Sequence, residues 1–288
     1  MTWQLKPPQV PSLEPPKKQP VFYLTHGGGP CFWTSFPDPY GPHAFDRLKS
    51  YFAGLLGELP QLPRAVLVTS AHWEEPVATV GTASAPSMLY DYYGFPAHTY
   101  ELRYPARGFP ELGMQVRDLL RAAGIAADTD DRRGFDHGVF VPMLIIDPPA
   151  RIPVVTLSLC NDLDAAHHVA IGRALAPLRD EGVLILGSGS SFHDLGAIFT
   201  GPDRASFEFD AWLYETVVEC APNARNARLV EWHRAPSARA CHPREDHLMP
   251  LMVAAGAAGD DPGQQSFTDV VGGKAYSCFA FGRTRELR

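Results

Sequence analysis

VFYLTHGGGP, residues 21–30, is a short unbroken apolar run that ends in a histidine and three glycines. Three later runs have the same make-up: AVLV at 65–68, IPVVTL at 152–157 and VLIL at 183–186. Continuous rather than alternating apolar character marks strands that are covered on both faces. Working outward from these runs, strands are expected at 20–25, 65–70, 77–81, 152–158, 182–187 and 277–281. Helical patterns fall at 43–57, 110–123, 164–180, 206–220 and 246–257. This alternation predicts an α/β fold, a single domain with a central, mostly parallel or mixed sheet flanked by helices.

The chain has 288 residues, enough to bury a sizeable core. Its net charge of −7, with no long run of one sign, offers nothing to nucleic acid or to an anionic membrane. Apolar stretches are too short to span a bilayer. Proline is abundant, and two of its pairs fall in residues 1–19, which reads as an extended arm before a domain at 20–288. Trp3 and Leu5 on that arm suit packing across a neighbouring subunit, so a homodimer is expected. With no apolar secretory segment and five cysteines that form no CxxC pair, a cytoplasmic protein with reduced thiols is the reading. Residues 82–109, aromatic-rich and broken by Pro and Gly, are too long for a simple connection and are expected to serve function.

Histidine carries the chemistry. Four of the eleven end or closely follow an apolar run, or open a helical one: His26, His72 in RAVLVTSAHWEE, His193 after VLILGSGSSF, and His247 in CHPREDHLMPL. Imidazole is the commonest transition-metal ligand, and open α/β sheets place their sites at strand C-terminal ends. Glu74 and Glu75 beside His72 are candidates to orient its second ring nitrogen. His137, between Gly134 and Gly138, reads as presented rather than packed. For His43 a helix-capping role is favoured, and for His167 and His168 a solvent-facing one; His98 and His233 read as structural. The glycines after His26 also fit an esterase oxyanion loop, but no G-x-S-x-G elbow follows, so that reading fails. GSGSS at 187–191 lacks the lysine and spacing of a phosphate loop. His242, Glu245, Asp246 and His247 crowd one helix start, which supplies a third ligand, either His or carboxylate. Three ligands on one side of a metal serve a zinc hydrolase or a non-haem Fe(II) oxygenase, and spacing does not separate them.

The chain resembles the class III extradiol ring-cleaving dioxygenases of the LigB type, in particular their DOPA 4,5-dioxygenase-like branch. The resemblance runs from about residue 20 to the C-terminus. It rests on His26-Gly27, SAHW at 70–73, YDYYGFP at 90–96, GFDHG at 134–138, His193-Asp194-Leu195 and DHLMPL at 246–251. It implies a catechol-type substrate, O2 as co-substrate and a ring-opened semialdehyde product. One metal ion per chain, Fe(II) or Zn(II), is implied on His26, His72 and His247, with His193 as acid/base and His137 contacting substrate or oxygen. The wider class uses two histidines and a glutamate, so Glu245 rivals His247. Tyr92, Tyr93 and Arg103 are candidate substrate contacts on the aromatic loop. Arg103, Arg107, Arg132 and Arg133 are candidates to meet a substrate carboxylate. A zinc-dependent hydrolase and a non-catalytic metal-binding protein remain the alternatives.

Overall fold

The apolar runs become strands because β-branched and aromatic side chains fill both sides of one sheet. The computed structural model of the protein describes residues 16–201 and 203–282. Its strands are β1 (Val21–Thr25), β2 (Ala65–Glu75), β3 (Ala78–Gly81), β4 (Ala127–Asp130), β5 (Val154–Cys160), β6 (Val183–Gly189), β7 (Gly263–Val271) and β8 (Lys274–Phe281). The helices are α1 (Asp46–Gly54), α2 (Pro110–Ala122), α3 (His137–Ile146), α4 (Ala165–Leu175), α5 (Arg204–Tyr214), α6 (Pro222–Val230), α7 (Ala238–Cys241) and α8 (Met249–Ala258).

The strands form one eight-stranded mixed sheet in the order β4-β3-β5-β2-β6-β1-β8-β7. Its centre, β5-β2-β6-β1, is parallel throughout, while β3 and β8 run antiparallel to their central neighbours. Strand alternation divides the core in two. Val21, Tyr23, Leu67, Leu157 and Ile185 pack on one face with Val169 and Leu175 of α4 and Val253 of α8. Phe22, Leu24, Val66, Val68 and Leu186 pack on the other with Leu48 and Phe52 of α1 and Val139 and Phe140 of α3. Parallel central strands bring the C-terminal ends of β1, β2 and β6 to the same edge.

Five elements go beyond the sequence expectation: α3, α6, α7, β4 and β7. Helix α3, HGVFVPMLII, is buried along most of its length, so it shows no amphipathic period, and Pro142 inside it reads as a breaker. Strands β4 and β7 are the two edges of the sheet, where polar side chains replace the continuous apolar signal. Two histidine assignments are corrected. His168 is fully buried, accepting from the Cys160 backbone N–H and donating to the Asp164 carbonyl, because its side of α4 faces the core. His43 caps no helix, since the helix begins after Phe45 and the ring meets the Asp46 carboxylate.

Of the expected arm, residues 1–15, with Trp3 and Leu5, lie outside the described residues. Gln19 is already buried and pinned to Arg179 by backbone hydrogen bonding. All five cysteines are free. No helix among the described residues is long and apolar enough to cross a membrane.

Candidate metal centre

His26 follows β1 directly and extends its ladder, its N–H donating to the Gly189 carbonyl at 3.0 Å. Gly27 has φ +82°, and a Cβ there would lie 2.5 Å from Cys31 Sγ, so the turn that releases the ring from the sheet needs glycine. His72 projects from β2 where its pairing with β5 shifts register between Thr69 and Glu74. That irregularity turns the strand end and re-aims the side chain. Beneath it, Arg133 lies over the Trp73 ring and donates to both the His72 carbonyl and the Asp136 carboxylate.

His247 lies in the turn before α8. Its carbonyl accepts from the buried Tyr23 hydroxyl at 2.9 Å and from the Ser190 N–H at 3.0 Å. A Cβ at residue 189 would stand 2.1 Å from that carbonyl oxygen. Glycine at the end of β6 therefore allows the close approach that seats His247 beside the strands.

These supports converge three ring nitrogens. Nε2 of His72 is 3.3 Å from Nε2 of His26 and 3.2 Å from Nε2 of His247. Each Nδ1 faces an acceptor: the Gly27 carbonyl at 2.8 Å for His26, the Asp91 carboxylate at 3.4 Å for His72, and the Asp246 carboxylate at 3.0 Å for His247. Acceptors at Nδ1 put the proton there and leave the Nε2 lone pairs pointing at one another. Burial, and then the neighbouring imidazoles, hold all three rings well below the usual histidine range. Three neutral nitrogens crowding one point repel unless a cation joins them. The donor set fits one divalent transition metal, and its all-imidazole character suits Fe(II) and Zn(II) alike.

Two further histidines flank the cluster. The His193 ring stacks on His247, centroids 3.3 Å apart and planes 12° from parallel, and the His193 backbone N–H donates to the Cys241 carbonyl. Burial lowers its pKa, opposed by the nearby Asp246 carboxylate. His137 opens α3, and its backbone N–H and Nδ1 both donate to Asp91 Oδ1 at 2.9 Å. Its ring centroid lies 3.9 Å from that of His72. Burial pushes Asp91 up, but hydrogen bonding to His137 and electrostatic attraction to the His137 and His72 imidazoles outweigh it and hold the carboxyl at about 2.

The structure thus gathers His26, His72, His137, His193 and His247. Glu245 is turned elsewhere, accepting from Arg239. The expectation that Glu74 or Glu75 orients His72 is corrected: Glu74 pairs with Arg244, and Glu75 accepts from the Trp73 indole. Asp91 and Asp246 are the carboxylates that meet the His72 and His247 rings. Asp91 was hidden in the aromatic loop, remote from His72 in sequence, and only its place in the YDYYGFP motif marked it. His242 is fully buried and bonds the Ser191 carbonyl. Tyr92 sets its ring 5.9 Å from His137 and gives its hydroxyl to the Thr99 carbonyl. Tyr93 is 92% exposed, and Arg103, also exposed, holds the Tyr90 hydroxyl. Arg133 is committed beneath His72, while Arg107 and Arg132 are exposed.

Comparison with known proteins bears on this arrangement. Residues 35–279 match the family described as the catalytic LigB subunit of aromatic ring-opening dioxygenase. The chain is 41% identical to a 4,5-DOPA dioxygenase extradiol of Portulaca grandiflora, covering 83% of this chain and 86% of that protein. It is also 41% identical to a protein of that name from Beta vulgaris, covering 69% and 75%. A crystal structure of an uncharacterized protein from Escherichia coli K12 superposes with a TM-score of 0.73 at 26% identity, covering 92% of this chain and all of that one. His26 lies before the span matched by the family.

Proposed function

The chain belongs to the LigB family of aromatic ring-opening dioxygenases, and from that premise we propose that it is a metal-dependent extradiol enzyme acting on a catechol. The observation that carries the metal dependence is the convergence of three Nε2 atoms whose partner nitrogens are all engaged. His26, His72 and His247 hold the metal, with Fe(II) as the ion that serves oxygen chemistry. When bound, such a metal provides the electronic link between an electron-rich diol and O2, which do not react directly.

The chain's own residues do the rest. His193 is neutral near pH 7 because burial lowers its pKa, so it accepts a proton from a catechol hydroxyl and returns one as the ring opens to a semialdehyde. Its stacking on His247 fixes where that proton transfer takes place. His137 offers Nε2 to substrate or oxygen, since Asp91 occupies its Nδ1. Tyr92 forms an apolar wall, and Tyr93 and Arg103 serve as outer contacts on the same loop. The names of the relatives favour a DOPA-like catechol. Residues 20–288 act as one catalytic domain.

The test is anaerobic loading of the metal-free protein with Fe(II), then addition of catechols and O2. Oxygen uptake and a yellow ring-fission product are expected with the native chain and are lost in His193→Ala, which keeps its metal. No oxygen uptake with any catechol at full Fe(II) occupancy would overturn the reading. Turnover of an ester or amide by the Zn(II)-loaded protein without O2 would replace it by a hydrolase.

A further inference from the structure

Two carboxylates serve the ligand imidazoles, and they are not equivalent. Asp246 uses one oxygen: Oδ2 is 3.0 Å from His247 Nδ1 and 3.5 Å from Arg244, while its buried Oδ1 has no hydrogen-bond partner. Asp91 uses both. Oδ1 accepts the backbone N–H and the Nδ1–H of His137, each at 2.9 Å, and Oδ2 lies 3.4 Å from His72 Nδ1. One carboxylate on the aromatic loop therefore faces three nitrogens, one on β2 and two at the start of α3.

We propose that Asp91 is a positioning residue that sets the tautomers of two imidazoles at once, keeping the His72 lone pair on Nε2 for the metal and the His137 lone pair on Nε2 for substrate. The proposal rests on the metal-centre reading for its consequence, but not for its geometry. A carboxylate has acceptors on both sides, and an amide has one. In Asp91→Asn the amide oxygen stays with the two His137 donors, because the flipped amide would set its NH2 against both. The NH2 then meets His72 Nδ1–H, donor against donor. His72 escapes by moving its proton to Nε2, where it blocks ligation. Asp246→Asn has no such conflict: the amide oxygen takes the His247 side, and the NH2 takes the place of the unpartnered Oδ1.

The two variants therefore rank in the reverse order of their contact lengths. Asp91→Asn is expected to weaken Zn(II) binding by about tenfold or more, the usual cost of losing an outer partner of a metal-bound histidine. Asp246→Asn is expected to cost less than about threefold, since an acceptor for His247 is retained. The second readout needs no metal. In imidazole 15N NMR of the metal-free protein, with signals assigned through His72→Ala, His72 is protonated at Nδ1 in the native chain and in Asp91→Glu, and at Nε2 in Asp91→Asn.

Asp246→Asn costing as much as Asp91→Asn, or His72 keeping its Nδ1 proton in Asp91→Asn, would overturn the proposal. If Asp91→Asn does not fold, the native spectrum still decides, because Nε2 protonation of His72 there sinks the idea. A native chain that takes up no Zn(II) would overturn the metal-centre reading alone, leaving the tautomer result to judge Asp91.

Discussion

At the scale of single residues, the site depends on atoms that the sequence motifs do not contain. Gly189 is one. Its missing side chain lets the His247 carbonyl dock on the end of β6, within 2.1 Å of where a Cβ would stand. Backbone meets backbone there, so no side-chain rotation relieves the clash. Gly189→Ala is expected to cost about 1–3 kcal/mol in urea denaturation and to weaken Zn(II) binding about tenfold by displacing His247. Zinc affinity unchanged in that variant would show that the carbonyl contact does not position the ligand. Glu245 gives the opposite expectation. Its carboxylate is spent on Arg239, so Glu245→Ala should leave Zn(II) affinity within about twofold, the range of an ordinary surface change. A loss of tenfold or more would make Glu245 the third ligand after all. The sequence showed two candidates in one turn, and spacing did not rank them, because a one-turn segment aims its side chains by the bonds they make.

At the scale of elements, α4 and α8 show why some of the fold was legible and some was not. Both were expected from their apolar patterns. Their contact was not, because it is made by absent side chains. A Cβ on Gly172 would lie 2.1 Å from the Val253 carbonyl, and one on Gly256 would lie 2.2 Å from the Val169 carbonyl. Each helix thus presses its glycine against the other's backbone. Helix propensity alone favours Gly256→Ala by about 1 kcal/mol. Overpacking against a carbonyl costs about 1–3 kcal/mol, and here two buried helices must separate. The net expectation is destabilisation by at least about 1 kcal/mol in urea denaturation, and a stabilised variant would show that the helices slide apart freely. The same contrast holds elsewhere. The central strands β1, β2, β5 and β6 announce themselves through unbroken apolar runs. Edge strands β4 and β7 carry ADTD and GQQSFTDVV, which read as loop. Helix α3 is apolar on all sides and has no period to detect. His26, His72, His193 and His247 could be found because strand ends and helix starts mark them. Asp91 could not, since a loop without periodicity hides which residue turns inward.

At the scale of the whole molecule, several buried histidines tie stability to pH in one direction. His242 and His168 lie outside the metal cluster, so they give the effect without the metal. His242 is fully buried, its Nε2 donating to the Ser191 carbonyl while Nδ1 has no partner. Burial, opposed by the bond to Ser191, pulls its pKa from 6.5 down to about 3. His168 is lowered too, chiefly by burial, and protonation would also remove the acceptor that holds the Cys160 N–H. In both cases the unfolded chain binds the proton first as pH falls. The stabilisation is therefore complete above about 6.5 and is lost as pH drops below that value. For His242 alone, each pH unit between the two pKa values is worth about 1.4 kcal/mol, so the loss at pH 5 is about 2 kcal/mol. That is a large share of the roughly 5–15 kcal/mol by which a domain is held folded. Urea denaturation of the metal-free protein at pH 7.5 and pH 5 checks it. His242→Gln retains a donor for Ser191 and removes the titration, so it should be less stable at pH 7.5 yet lose about 2 kcal/mol less than the native chain on acidification. Equal losses in the two proteins would mean that His242 is already protonated in the fold, which its unpartnered Nδ1 argues against.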